Sequence, residues 1–213
     1  GRAIRFPTTE VRVFKGRDST GVRGIRLLSE DDRVVSMAVI RHFEAEAPER
    51  AAYLKMRRQM VGVDEVEGTE DDEEVVAGDI SQDRFDEMRG AEDLILTITS
   101  AGAGKLSSSH DYPVRGRGGQ GVAAMDRAMR GGDLVASFPV GTDDQVMLAT
   151  STGQSIRCPV DGISFRSRGA GGVKVFNTAA GESVVSVAWI AERDEEDGEA
   201  DGEDAATGSP GEV

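Results

Sequence analysis

Short apolar runs bounded by glycine set the rhythm of this chain. Leu94 to Thr99 and Val146 to Thr150 each lead into a three-residue turn, Ser100-Ala101-Gly102 and Ser151-Thr152-Gly153. Runs of four to seven residues with β-branched members, punctuated in this way, predict strands and hairpins. The partner strands are Ser155 to Cys158 after the second turn and, in an earlier segment, Ala3 to Phe6. A basic, glycine-rich loop follows each partner strand. A closing apolar run then predicts a last strand at Val34–Ile40, Leu134–Val140 and Val184–Ile190. Two stretches break the pattern. Pro48 to Met60 has no glycine and reads as a helix with proline in its first turn. A second helix is expected after Ser81, with Ser81 as cap, Ile80 and Phe85 as a hydrophobic staple and Gly90 as its stop.

The strand pattern is a repeat. Shifted by 51 residues, Arg115, Arg117, Gly118, Gly121 and Val122 fall on Arg166, Arg168, Gly169, Gly172 and Val173. Shifted by 100, Arg17, Gly21, Val22 and Val35 fall on Arg117, Gly121, Val122 and Val135. The chain therefore divides into repeats at 1–40, 93–140 and 141–191, an acidic, partly helical insertion at 41–92, and a tail at 192–213. A period near 50 residues with four strands predicts an all-β, propeller-like array of four-stranded blades. The first blade lacks its opening strand. The chain begins at Gly1 in mid-pattern, without Met, and reads as a piece of a longer protein.

Charge changes the picture only when it is mapped. The formal net charge of −14 argues at first against nucleic acid. Residues 41–93 carry −10 and residues 192–213 carry −9, whereas 1–40 carry +3 and 94–140 carry +2. Partners feel these local fields, so the repeats themselves are the basic part. Glu65 to Glu74 is strongly acidic and expected to be mobile, and the tail, acidic, glycine-rich and without apolar periodicity, is expected to be disordered. The single cysteine, Cys158, forms no internal disulfide and sits in a predicted strand as a packing residue. No apolar run is long enough for a membrane span. His42 and His110 lack metal-site spacing. Trp189 ends a repeat and is expected in the core. No phosphate-binding loop of the Walker type and no dinucleotide fingerprint is present.

The loops carry the candidate chemistry. They read KGRDSTG at 15–21, RGRGGQG at 115–121 and RSRGAGG at 166–172. Glycine lets a backbone approach a phosphate, and arginine adds charge and paired donors. Turn-forming glycine with solvated arginine is the better explanation of any single loop. Three loops at one phase of a repeat favour a basic track that reads a nucleic-acid backbone. Candidate phosphate contacts in and beside the loops are Arg12, Lys15, Arg17, Arg23, Lys105, Arg115, Arg117, Arg157, Arg166, Arg168 and Lys174.

The segments GRAIRFPTTEVRVF and GVRGIRL within 1–27, and DLILTITSAGAGKLSSSHDYPVRGRGGQGV at 93–122, resemble the C-terminal domain of bacterial DNA gyrase A subunits. The resemblance extends over nearly all of residues 1–191. It implies a β-pinwheel of six blades that wraps duplex DNA non-specifically around a basic perimeter, with the last three blades present here. It also implies partners: a cleavage core N-terminal to this domain and a gyrase B subunit, in an A2B2 complex in the bacterial cytoplasm at the nucleoid. This segment would be non-catalytic and hold no cofactor, with ATP and Mg belonging to other parts of the complex. The family's QRRGGKG-type box belongs to its first blade, and RGRGGQG at 115–121 is a degenerate version in a later one. The topoisomerase IV paralogue is an alternative. A propeller used for protein–protein docking through its acidic insertion is another.

Overall fold

The computed structural model describes residues 1–63, 75–126 and 131–191. The expected acidic segment Glu65–Glu74 and the tail 192–213 lie outside the described residues. In chain order the strands are β1 (Arg2–Ala3), β2 (Leu94–Thr99), β3 (Ala103–Ser108), β4 (Val122–Ala123), β5 (Leu134–Val140), β6 (Gln145–Thr150), β7 (Ser155–Pro159), β8 (Val173–Lys174) and β9 (Val184–Ile190). Two helices, α1 (Ala47–Met60) and α2 (Gln82–Gly90), lie between β1 and β2.

All pairings between named strands are antiparallel, in the orders β5-β2-β3-β8, β7-β6-β9 and β1-β4. The middle sheet refines the repeat-as-blade expectation. Its first three strands come from the second repeat, but its edge strand β8 comes from the third. Likewise β4 of the second repeat pairs with β1 of the first, Arg2 opposite Ala123. Each of these two repeats thus lends a two-residue strand to the sheet before it. The hairpin turns form where the glycines predict them. Gly102 and Gly153 have φ of +75° and +86°, a region that side chains with a Cβ avoid.

β2 is buried along its whole length, and its alternation resolves into two cores. Leu94, Leu96 and Ile98 join Leu106, Val146, Leu148 and Val160 in the main cluster. Ile95 packs the other way, with Tyr112 and Ala124, against Ala3 and Ile40 of the first repeat. Each such aliphatic side chain contributes roughly 1.5–3 kcal/mol on burial, so the packing between repeats is a main source of cohesion. Cys158 is partly buried against the main cluster, as expected of a packing residue.

Three sequence expectations change. Val34–Ile40 forms no strand, because the described residues offer it no neighbour corresponding to β2 or β6. Most of its apolar side chains stay exposed, Met37 at 92%. The expected strand Ala3–Phe6 shortens to β1 and a single parallel bridge from Arg5 to Val114. Trp189 is 55% exposed rather than in the core, and its indole N–H donates to Asp144 Oδ2 at 2.7 Å.

The helical insertion matches its capping signals. Glu46 and Glu49 form a capping box at α1, with proline in the first turn. Ser81 Oγ accepts the backbone N–H of Arg84 at α2, and Ile80 packs on the cluster that holds Phe85. Gly90 is the last residue of α2, and Ala91 closes it in a right-handed conformation. Tyr53, Phe85 and Met88 form the insertion's own core. His110 of the second repeat enters this core, its Nε2 2.8 Å from Met88 O and its ring edge-on to Tyr53 and Phe43.

Candidate nucleic-acid interface

The second and third glycine-rich loops are each clamped at both ends to the preceding repeat. The second loop enters with Arg115 N–H donating to Arg5 O at 2.8 Å, and the third with Arg166 N–H donating to Leu106 O at 2.7 Å. They leave as β4 and β8, paired with β1 and β3. The closing glycines make this approach possible. Gly121 has φ +71°, and a Cβ there would collide with Ala3 O. A Cβ on Gly172 would come within 2.9 Å of the Gly104 backbone nitrogen. At these two positions glycine serves contact between repeats.

The two arginines of each loop have different fates. In the third loop Arg168 is 2% exposed. Its backbone N–H donates to Asp111 Oδ2 at 2.7 Å, its Nε to Asp111 O at 2.9 Å and its Nη1 to Ala123 O. In the second loop Arg117 repeats the scheme one step back. Its N–H donates to Glu10 Oε2 at 2.8 Å, its Nε to Glu10 O at 3.2 Å and its Nη1 to Arg23 O at 2.7 Å. The second arginine is therefore a latch between successive repeats. Sequence reasoning missed its acceptors, Glu10 and Asp111. The third repeat carries Gly162 where the 51-residue shift would place this acid.

Two expected phosphate contacts are thereby corrected. Arg168 is buried and held by backbone and carboxylate oxygens, so it is not a surface contact for a ligand. Lys105 is completely buried. Its Nζ donates to the carbonyls of Ser167 at 2.9 Å and Ala170 at 2.6 Å, and to that of Arg168. Burial pulls the ammonium down to about 7, the nearby Asp111 carboxylate opposing this and Arg168 adding to it. Lys105 seals the seam between the second and third repeats from inside. Arg117 is half-buried and already engaged.

All but one of the remaining candidates face solvent. Arg12, Lys15, Arg17 and Arg23 of the first repeat, Arg115 of the second, and Arg157 and Lys174 of the third are exposed. Arg12 stacks its guanidinium 4.6 Å from the centre of the Phe14 ring. Arg166 is half-buried, with Nε shielded from water and unpartnered among the described residues. Lys15, Arg115 and Arg166 mark the entry of one loop in each of three repeats, and the loops present backbone and cationic groups on an open surface. Such a surface suits a long polyanion better than a small molecule. Among the described residues no helix is long and apolar enough to cross a membrane.

The family described as "DNA gyrase C-terminal domain, beta-propeller" matches residues 1–41, 93–138 and 144–188. The DNA gyrase A subunit of Granulibacter bethesdensis is 43% identical over 218 residues, covering 96% of this chain and 23% of that protein. The gyrase A subunit of Rickettsia bellii is 40% identical over 212 residues, covering 98% of this chain and 23% of that protein. This chain thus spans less than a quarter of the length of these relatives. A solved structure titled "Structure of DNA gyrase A C-terminal domain" shares 22% identity at a TM-score of 0.44, over 47% of this chain and 34% of that one. The family match falls on the three repeats and passes over 42–92, where the helices lie, and on that match the chain belongs to the DNA gyrase C-terminal domain, beta-propeller family.

Proposed function

We propose that this chain is a non-catalytic domain that holds and wraps duplex DNA on the exposed loops of its repeats, reading phosphates rather than bases. The observation that carries this reading is the exposed cation at the loop entry of the first two repeats, Lys15 and Arg115, joined by exposed Arg17 in the first and by Arg157 and Lys174 in the third. Curvature follows from the architecture: repeats latched side by side present their loops in succession, and DNA following them bends. Within a gyrase, the domain would deliver that DNA to a cleavage core on the same polypeptide. Two such A chains and two B chains would form the A2B2 assembly in the bacterial cytoplasm at the nucleoid. ATP and Mg, required for negative supercoiling, would be held by other parts of that assembly.

Counterion release gives a direct test. If about six cations neutralise phosphates, the logarithm of affinity falls against the logarithm of salt with a slope of roughly −5. Duplexes of unrelated sequence should give the same slope, measured by fluorescence anisotropy. A slope near zero would overturn phosphate binding. Affinity confined to one sequence would instead indicate base readout.

A further inference from the structure

The insertion as a whole is acidic, but its first helix is not. Within α1, Arg50, Lys55, Arg57 and Arg58 stand against a single acid, Glu49. Two of the basic residues are tied down. Arg50 Nη1 donates to Ala45 O, and Arg57 pairs with Glu92 at 3.1 Å. The other two are not. Tyr53 is buried in the insertion core and Arg57 lies one turn further along the same inward face. At 100° per residue Lys55 and Arg58 point away from that face. Lys55 is exposed and Arg58 partly so, and among the described residues neither has an ion-pair partner.

The helix lies against the rim. Arg57 sets its guanidinium 4.7 Å from the centre of the Phe165 ring, and Phe165 is the residue before Arg166, where the third basic loop begins. α1 also packs beside Ser109–Asp111, the turn that carries the latch for Arg168. The helix that carries Lys55 and Arg58 thus packs, through Arg57, next to the loop whose own second arginine is buried and engaged.

We infer that α1 is a further duplex-DNA contact, in which Lys55 and Arg58 bind phosphates beside Arg166 and replace the cation that the third loop spends on its latch; this rests on the phosphate-binding reading of the rim. The geometry needs no base contact. It extends the track outward from the third loop on an element that the repeats do not contain. The acids that follow α1 in sequence would compete for the same two cations.

The double variant Lys55→Gln/Arg58→Gln keeps helix propensity and removes both charges. In the complete chain its thermal unfolding should match that of the parent. Its salt slope on a random-sequence duplex should become shallower by roughly 2, with weaker binding at low salt. Arg115→Gln, measured in parallel, reports on the rim itself. If Arg115→Gln flattens the slope and the α1 variant leaves it unchanged, the rim binds DNA and the helix does not. Tighter binding by the α1 variant would also overturn the inference and assign the face to the chain's own acids. If the parent shows no slope, phosphate binding by the rim fails first, and the role of the helix with it.

Discussion

Arg168 illustrates how one guanidinium can be spent on structure. Its donors hold the two backbone carbonyls of Asp111 and Ala123, while its main-chain N–H holds the Asp111 carboxylate. Removing the side chain strands these part-buried acceptors, and losing hydrogen bonds to a charged group costs about 1.5–3 kcal/mol each. Arg168→Ala should therefore lower the denaturation midpoint steeply, and DNA binding should fail only where the fold fails. Arg115→Ala should lower the midpoint far less than Arg168→Ala and should weaken DNA binding. An Arg168→Ala protein that unfolds like the parent but no longer binds DNA would return Arg168 to the ligand surface. The loop chemistry was legible in the sequence, but two arginines at i and i+2 look alike until the chain that packs on them is known. The deciding partners, Glu10 and Asp111, lie 107 and 57 residues earlier. Lys105 is no different: the residue 51 positions on, Ile156 of β7, is 39% exposed, so the repeat gives no sign that this position is buried.

The two helices show which elements carry their own instructions. Caps and staple are local, so α1 and α2 could be read within a residue or two at each end. Val34–Ile40 matches β5 and β9 in composition yet forms no strand, because a strand is defined by its neighbour. The docking of the helices onto the second repeat centres on His110, whose position between Phe43 and Tyr53 no local pattern announces. Burial holds its imidazole below the ordinary value of 6.5, the hydrogen bond to Met88 O and the charge of Glu92 opposing the shift. The docked state therefore prefers the neutral ring. Its contribution is complete above the unfolded value of about 6.5 and is lost as pH falls through the lower folded value. Hydrogen-exchange protection factors in α1 and α2, corrected for the intrinsic pH dependence of exchange, should fall as pH drops below about 6.5, and His110→Gln should remove that dependence. An unchanged pH profile in the variant would assign the effect to other groups.

On the scale of the whole molecule, charge is sorted along the chain. The repeats are mildly basic, while residues 192–213 hold ten acids and one arginine. Covalent attachment keeps those acids at a local concentration of roughly millimolar relative to the last repeat. They should compete with DNA phosphate for Arg157, Arg166 and Lys174. Deleting 192–213 should tighten DNA binding, most strongly at low salt where charge is least screened. Equal affinity with and without the tail at every salt would leave it no part in binding. This sorting was visible in the sequence because charge needs no fold to be counted. The lending of β4 and β8 to the preceding sheet was not visible, since two-residue strands leave no period to detect.

That lending sets where the chain can be cut or lengthened. A cut after Val140, at the boundary of the sequence repeat, removes Val173 and Lys174 and leaves Ala103 and Gly104 on an open edge. A cut after Lys174 keeps the four-stranded sheet whole but takes β9 from its place beside β6, so cuts at these two points each break one sheet. Extra residues meet the opposite condition between Ile40 and Leu94, where the chain passes from one repeat to the next outside any strand pairing. A pair of helices could enter there without disturbing a single ladder. The same addition inside a loop such as 115–121 would push apart two sheets that the loop holds together.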